Sequence, residues 1–320
     1  MFDIITIGSA TRDVFIQGKK FRVIKDPRFI TGEAECFALG TKINIDKLRF
    51  DTGGGGTNCA VSFSRLGFNC AFLGKVGSDY AASEIFKVLK SERINYDFVQ
   101  EDKDEKTAYS IILLTPSGER TILVYRGAST KIDLDKINFE KISANWFYIT
   151  SLGGNMDLLE KLVKFALEKN IKVALNPGEQ ELENNRLEKV LKMTNILLLN
   201  QKEASNLSGK KSIKDVLNFF QNFPPEITVV TLGSNGAVAV DKTDRYQIQI
   251  KPSREIKDTT GAGDSFGAGF LAGIMKKNDI NFALELGVVN SSSVIRYMGA
   301  KKGLLRQIPE KFTYKAKVIR

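Results

Sequence analysis

Asp258-Thr259-Thr260-Gly261-Ala262-Gly263-Asp264-Ser265-Phe266, followed by Gly267 and Gly269, is the stretch on which the reading of this chain turns. Three small residues in a row, 261–263, leave consecutive backbone N–H groups unshielded. They precede an apolar run, Phe266 to Ile274, that reads as a helix. First-turn amides have no intrahelical partner and the helix dipole adds partial positive charge, so such a start is a ready anion site. Asp264 stands at its edge. A nest that steadies negative charge, beside a carboxylate that can take a proton, suits transfer of a phosphoryl group to a hydroxyl. Alone, the stretch also reads as a glycine-rich turn with Asp264 as an ordinary helix cap.

The chain of 320 residues is long enough for one large α/β domain, or for a core with a smaller appendage. Its net charge is +10, yet the lysines are dispersed and mixed with glutamates, as over residues 160–169 and 181–192. Basic residues spread this way make a solvated face, so no nucleic-acid partner is expected. There is no histidine, which excludes Ser-His-Asp and Cys-His nucleophile pairs and every histidine-ligated metal. Cys36, Cys59 and Cys70 form no CxxC pair, which points to a reducing cytoplasmic location without structural zinc. No apolar run approaches the roughly 18 to 20 residues that span a bilayer. Residues Met1 to Gly8 read directly as a strand, so neither a membrane span nor a secretory signal is expected.

Strand-like runs alternate with helical patterns along most of the chain. Strands are expected at Phe2–Gly8, Cys70–Val76, Trp146–Thr150, Lys172–Leu175, Asn195–Leu199 and Ile227–Leu232. Helices are expected at Thr57–Leu66, Ala81–Glu92, Met156–Lys169, Glu183–Met193 and Ile213–Asn222, then after Thr260 and over Asn281–Tyr297. A hairpin fits Ala237–Ile250. Such alternation argues for a mostly parallel sheet covered on both faces. Two segments break the rhythm. Val14–Phe50 interleaves charges with apolar residues, and Thr107–Tyr125 alternates around a Pro116-Ser117-Gly118 turn. Both read as antiparallel strands outside the core, able to form a small sheet that closes over a cleft.

A second glycine cluster, Gly53-Gly54-Gly55-Gly56-Thr57-Asn58, directly precedes a helix. Glycines let backbone approach a ligand closely, and the Asn58 amide offers donor and acceptor to sugar hydroxyls. It reads equally as a flexible turn. Neither GxGxxG spacing nor a GxxxxGK[ST] loop is present.

Together the two clusters, with Asn200-Gln201-Lys202-Glu203 and Thr231-Leu232-Gly233-Ser234-Asn235-Gly236 between them, resemble the ribokinase family, or PfkB-type carbohydrate kinases, over nearly the whole chain. The resemblance implies a ribokinase-like α/β fold: a central, mostly parallel sheet flanked by helices on both faces, plus a small β-sheet lid. It places the core at 1–13, 51–106 and 127–320 and the lid at 14–50 and 107–126. By the same resemblance Asp264 matches the catalytic base, and Gly261, Ala262 and Gly263 match the anion hole. Asp13 matches a carboxylate that grips substrate hydroxyls, with Gly53, Gly54, Gly55, Gly56 and Asn58 completing the substrate wall. Asn200 and Glu203 match an element that bears on magnesium and phosphate, Glu203 acting partly through water. Thr231, Gly233 and Gly236 look like a nucleotide-lining loop, and Asn290 like a residue facing adenine. Asp258 and Thr260 resemble residues that hold a monovalent cation, potassium, in some members. Sugar kinases closest to ribokinase carry lysine where this chain has Gly55, and the segment 14–50 is longer than in many members.

The expected function is therefore an ATP- and Mg2+-dependent kinase acting on a hydroxyl of a small ribose- or hexose-like sugar. An adenosine-like nucleoside is the alternative acceptor, for which Phe15, Phe37 and Tyr109 could supply surface for the base. Rivals from other classes are a non-catalytic nucleotide- or sugar-binding protein and a nicotinamide-dependent oxidoreductase. An exposed apolar face of the small sheet could pair with a second copy to give a homodimer.

Overall fold

Ile4, Ile5 and Ile7 are fully buried in the first strand, β1 (Phe2–Ile7), and successive side chains enter cores on opposite faces of one sheet. The computed structural model describes residues 1–18, 21–29, 32–115, 120–251 and 256–319. After β1 the chain leaves the core for β2 (Thr11–Gln17), β3 (Arg22–Lys25), β4 (Glu33–Cys36) and β5 (Lys47–Gly53). It returns through α1 (Gly55–Arg65), β6 (Cys70–Gly77), α2 (Tyr80–Ser91) and β7 (Asn95–Asp102). It departs again for β8 (Ala108–Leu114) and β9 (Arg120–Tyr125); the expected Pro116-Ser117-Gly118 turn between them lies outside the described residues.

The remaining elements are β10 (Ala144–Thr150), α3 (Met156–Glu168), β11 (Lys172–Asn176), α4 (Glu179–Leu182), α5 (Leu187–Leu191), β12 (Ile196–Asn200), α6 (Gln201–Ser208) and α7 (Ile213–Gln221). Then come β13 (Ile227–Thr231), β14 (Ala237–Val240), β15 (Arg245–Ile248), α8 (Ala262–Lys277), α9 (Ile280–Val294) and β16 (Ala316–Ile319). The single helix expected over 183–193 is broken. Asn184 accepts the Arg186 amide on its side chain and the Leu187 amide on its carbonyl, and this local competition separates α4 from α5.

Ten strands form one sheet in the order β16-β15-β14-β13-β12-β11-β10-β1-β6-β7. From β13 to β7 the pairings are parallel, while β14, β15 and β16 run antiparallel at one edge. Buried residues of α1, α2, α8 and α9 fill one face, and those of α3, α5, α6 and α7 fill the other. The order reverses between β1 and β10. In open α/β sheets that switch point, at the carboxyl ends of the strands, is where ligands bind.

A second, four-stranded sheet has the order β5-β2-β8-β9, and β3 and β4 pair as a separate ribbon. The sheet is mixed rather than purely antiparallel. β2 pairs antiparallel with β5 but parallel with β8, because both β2 and β8 leave the core in the same direction. Its outer strands expose Leu48, Phe50, Ile122, Leu123, Val124 and Tyr125. Among the described residues no helix is long and apolar enough to cross a membrane.

Candidate active site

The loop leaving β1 and the glycine cluster build one wall of a cavity of about 240 Å³. Period-two alternation along β2 puts Thr11 and Asp13 on the same side, and parallel register sets Ala108 and Ser110 of β8 beside them. Ser9, Gly54, Gly55, Asn58, Val124, Tyr125, Arg126, Ser129, Thr260, Gly261 and Asp264 complete the lining. Asp13 is 4% exposed and accepts from Thr11 Oγ1 at 2.8 Å. Burial raises its pKa above the ordinary carboxylate value, against the lowering effects of Thr11, Lys301 and Ser110. The first glycine is a packing requirement: a Cβ on Gly53 would lie 2.0 Å from Asp13 Oδ2. Gly56 does not line the cavity either, since a Cβ there would meet Phe72 at 2.6 Å.

The 259–264 segment divides this cavity from a larger one of about 480 Å³. Thr260, Gly261 and Asp264 face the smaller, and Thr259, Ala262 and Gly263 the larger. Gly261 caps α8 at φ 75°, a left-handed conformation that favours glycine, with Ala300 packed where a side chain would go. The Ala262 amide donates to the Thr259 carbonyl at 3.2 Å. That corrects the expected three-amide nest: Ala262 is spent, whereas the amides of Gly261, Gly263 and Asp264 have no partner among the described residues. Asp264 Oδ2 accepts from Asn58 Nδ2 at 2.8 Å, which leaves Oδ1 without a donor among the described residues. Burial raises the Asp264 pKa, opposed by the Asn58 hydrogen bond and the charge of Lys301.

The larger cavity is lined by Thr231, Gly233, Gly236, Phe266, Val288 and Leu305, among others. Asn290 does not line it. Its side chain is fully buried, donating to Ser62 Oγ and the Ser265 carbonyl and accepting from the Leu305 amide, so the expected contact with adenine is corrected to a packing role. Asn200 ends β12, next to Thr231 across the sheet, and Glu203 lies in the first turn of α6. They form a reciprocal capping box: Glu203 N donates to Asn200 Oδ1, and Asn200 N to Glu203 Oε2. Burial raises the Glu203 pKa, and the Glu179 carboxylate adds to the rise.

Asp258 and Thr260 do not fit a monovalent cation as they stand. Asp258 already accepts from Thr260 N, Thr260 Oγ1, Gly299 N and the Arg120 guanidinium, whose positive charge stands where a cation's would. Nor do Phe15, Phe37 or Tyr109 reach the smaller cavity. Phe15 is buried in the sheet, Phe37 packs edge-on against Phe21 at 5.2 Å around a different cavity, and Tyr109 sits one register position off the lining face. Tyr125 is the aromatic residue that does line it. Sequence reasoning also missed Arg120 and Lys301. The alternation of Thr11 with Asp13 was a usable signal for Thr11; nothing local marks the two cations.

One helix start thus separates two cavities at the carboxyl ends of a doubly wound sheet. The chain belongs to the pfkB family of carbohydrate kinases, whose model matches residues 27–306, and it is a sugar or nucleoside kinase, a phosphotransferase with an alcohol acceptor. It is 32% identical over 254 residues to an uncharacterized sugar kinase of Archaeoglobus fulgidus, covering 78% of this chain and 100% of that one. Two solved structures share the fold. The nucleoside kinase of Methanocaldococcus jannaschii has a TM-score of 0.75 at 24% identity, covering 94% of each chain. Arabidopsis thaliana ribokinase, complexed with ribose and ATP, has a TM-score of 0.80 at 20% identity, covering 95% of each.

Proposed function

We propose that this kinase moves the terminal phosphoryl group of ATP onto a primary hydroxyl of a small sugar. One observation carries the reading: residues 259–264 line both cavities, so a donor in the larger and an acceptor in the smaller would meet at the start of α8. Asp264 Oδ1 takes the hydroxyl proton, while Asn58 holds Oδ2. The unspent amides of Gly261, Gly263 and Asp264 receive the charge of the transferring group. Asp13, with Thr11 and Ser110, grips the acceptor's other hydroxyls. A buried carboxylate left without hydroxyls to accept from discriminates strongly against analogues that lack them.

Among the described residues no three carboxylates or thiols gather to cage a metal. Mg2+ keeps most of its water and binds through one or two carboxylates and substrate phosphates. Glu203, with Glu179 near it, would hold such an ion through water, and the ion would neutralise phosphate charge. No step is assigned to potassium. The polar lining and modest volume of the smaller cavity favour a sugar over a nucleoside. Tyr125 and Val124 are the feature that would favour a nucleoside instead, as apolar surface for a base.

The small sheet is read as a lid over the acceptor, and its exposed apolar strands as the contact between two copies. Three free cysteines suit a reducing cytoplasm.

ADP release measured over a panel of pentoses, hexoses and nucleosides, with wild type and Asp264→Asn, tests the reading. A pentose or hexose should give the highest kcat/KM. Asp264→Asn should lose about 10²- to 10⁴-fold in kcat, the usual worth of a general base, while still binding ATP. A variant that kept more than roughly a tenth of the wild-type rate would remove Asp264 from the base role.

A further inference from the structure

Lys301 is 6% exposed, and its ammonium is enclosed between the end of β5 and the start of α1. Nζ lies 2.7 Å from the Thr52 carbonyl, 3.1 Å from Thr57 Oγ1 and 2.7 Å from Asn58 Oδ1. The Thr57 hydroxyl donates its own proton to the Gly53 carbonyl at 2.6 Å, so it can only accept from the amine. Three acceptors therefore face Nζ, and only an ammonium, with three protons, satisfies them all. The backbone of Lys301 is pinned as well: Arg65, paired with Glu92, donates to its carbonyl at 2.6 Å.

A buried ammonium is a poor stabiliser, because desolvation offsets much of what its partners return. What it fixes here is polarity. The Asn58 amide stands between the Lys301 ammonium, which meets Oδ1, and the Asp264 carboxylate, which meets Nδ2. Rotating that amide by half a turn would set N–H groups against a cation and an oxygen against an anion. We infer that Lys301 is a positioning residue for phosphoryl transfer: it locks Asn58 so that its amide N–H always addresses Asp264, leaving Oδ1 free for the acceptor hydroxyl. Lys301 does not line the acceptor cavity, so it acts through Asn58 rather than on substrate.

The surroundings make this lock sensitive to pH. Burial pushes the Lys301 pKa down to about 8, held from falling further by Asp13, Asp51, Asp264 and Cys59. These come from β2, β5, α8 and α1, the elements around the ammonium. Below that pH the three-proton lock is intact; above it one acceptor loses its donor. The same positive charge opposes protonation of Asp264.

The inference rests on Asp264 as the base, and the experiment separates the two ideas. Wild type, Lys301→Met, Lys301→Gln and Asp264→Asn are compared for kcat against pH, ATP affinity by calorimetry, and melting temperature. Gln keeps two amide protons for Thr52 and Asn58 and so covers the case in which Met does not fold. Both Lys301 variants should lose the fall in kcat above pH 8, and their acid limb should move up by about one pH unit as the opposing charge is removed. For Met, kcat should drop about 10- to 100-fold, the cost of a reacting group misplaced by about an ångström, with ATP affinity within about twofold. Folded Lys301 variants that keep both wild-type limbs overturn the positioning role while Asp264→Asn is inactive. An active Asp264→Asn overturns the base assignment instead, and the lock with it.

Discussion

Gly53→Ala probes the acceptor wall through a contact that only movement of the Asp13 side chain can relieve. The new Cβ would sit 2.0 Å from Asp13 Oδ2, 2.7 Å from its Cγ and 2.8 Å from Oδ1. Comfortable non-bonded separations are about 3.5 to 4.0 Å, so the carboxylate must retreat by roughly 1.5 Å. The backbone cannot carry it away, because Asp13 is in register with Asp51 of β5 on one side and Ser110 of β8 on the other. The side chain must therefore rotate off Thr11 and out of its gripping position. A misplacement of about 1 Å costs about 10²-fold, which is about 2.7 kcal/mol at 1.36 kcal/mol per decade. Acceptor kcat/KM should fall by about that factor. ATP affinity should be unchanged, since neither residue 53 nor Asp13 borders the larger cavity. Steady-state ADP release with acceptor varied, alongside calorimetric titration of ATP, gives both numbers. A folded Gly53→Ala protein whose acceptor kcat/KM stays within about threefold of wild type would refute the grip of Asp13 on substrate.

Three further outcomes follow from the same geometry. Because burial raises the Asp264 pKa, its ionised form opposes folding above the raised value, and the penalty disappears below the unfolded value of 3.8, where both states are protonated. Asp264→Asn should thus melt higher than wild type at neutral pH, with the difference closing as pH falls toward 3.8; equal melting temperatures at pH 7 would contradict the burial argument. Arg120 of β9 ties the small sheet to Asp258 and to Thr259 Oγ1 at 2.6 Å. Arg120→Ala should raise acceptor KM several-fold and speed proteolysis of β9, and an unchanged digestion rate would show that the tie does not hold the sheet down. Leu123→Asp, on the exposed outer strand, should shift the sedimentation of a homodimer to that of a monomer, whereas a wild type that already sediments as a monomer disposes of pairing through this sheet.

Much of the fold is legible because parallel strands buried on both faces must be continuously apolar. The Ile196–Asn200 and Ile227–Thr231 strands announce themselves in this way: the first is shifted by one residue from its expected bounds, and the second begins as expected and ends one residue early. β7 does not. Asn95–Asp102 is an edge strand carrying charges between its apolar residues, the pattern that protects an edge and also disguises it. Asn290 shows a related limit. Its sequence position puts it on a helix beside the larger cavity, and Val289 and Ser291 on either side do line that cavity. Which way residue 290 points depends on the packing of α9 against Ser62 and Ser265, groups 228 and 25 residues away.

The acceptor wall divides along the same line. The nest at 261–263 is local: three small residues and a helix start determine most of what it can do, so the sequence exposes it, though not that Ala262 would turn back to Thr259. Lys301 is the opposite case. It stands in Ala300-Lys301-Lys302-Gly303, where two adjacent lysines look alike, yet Lys302 is exposed and Lys301 is sealed in. Its acceptors, a carbonyl, a threonine and an asparagine, are 243 to 249 residues distant, and nothing about them in sequence points to a buried lysine. A buried charge is legible only when the groups that solvate it are near in the chain. Here they are assembled by the return of the C-terminal segment onto the first glycine cluster, the same return that sets Asn58 against Asp264. Lys301 and Asp264 therefore meet at the two ends of one amide, and a residue that looks like surface charge is sealed behind a residue of the smaller cavity's wall.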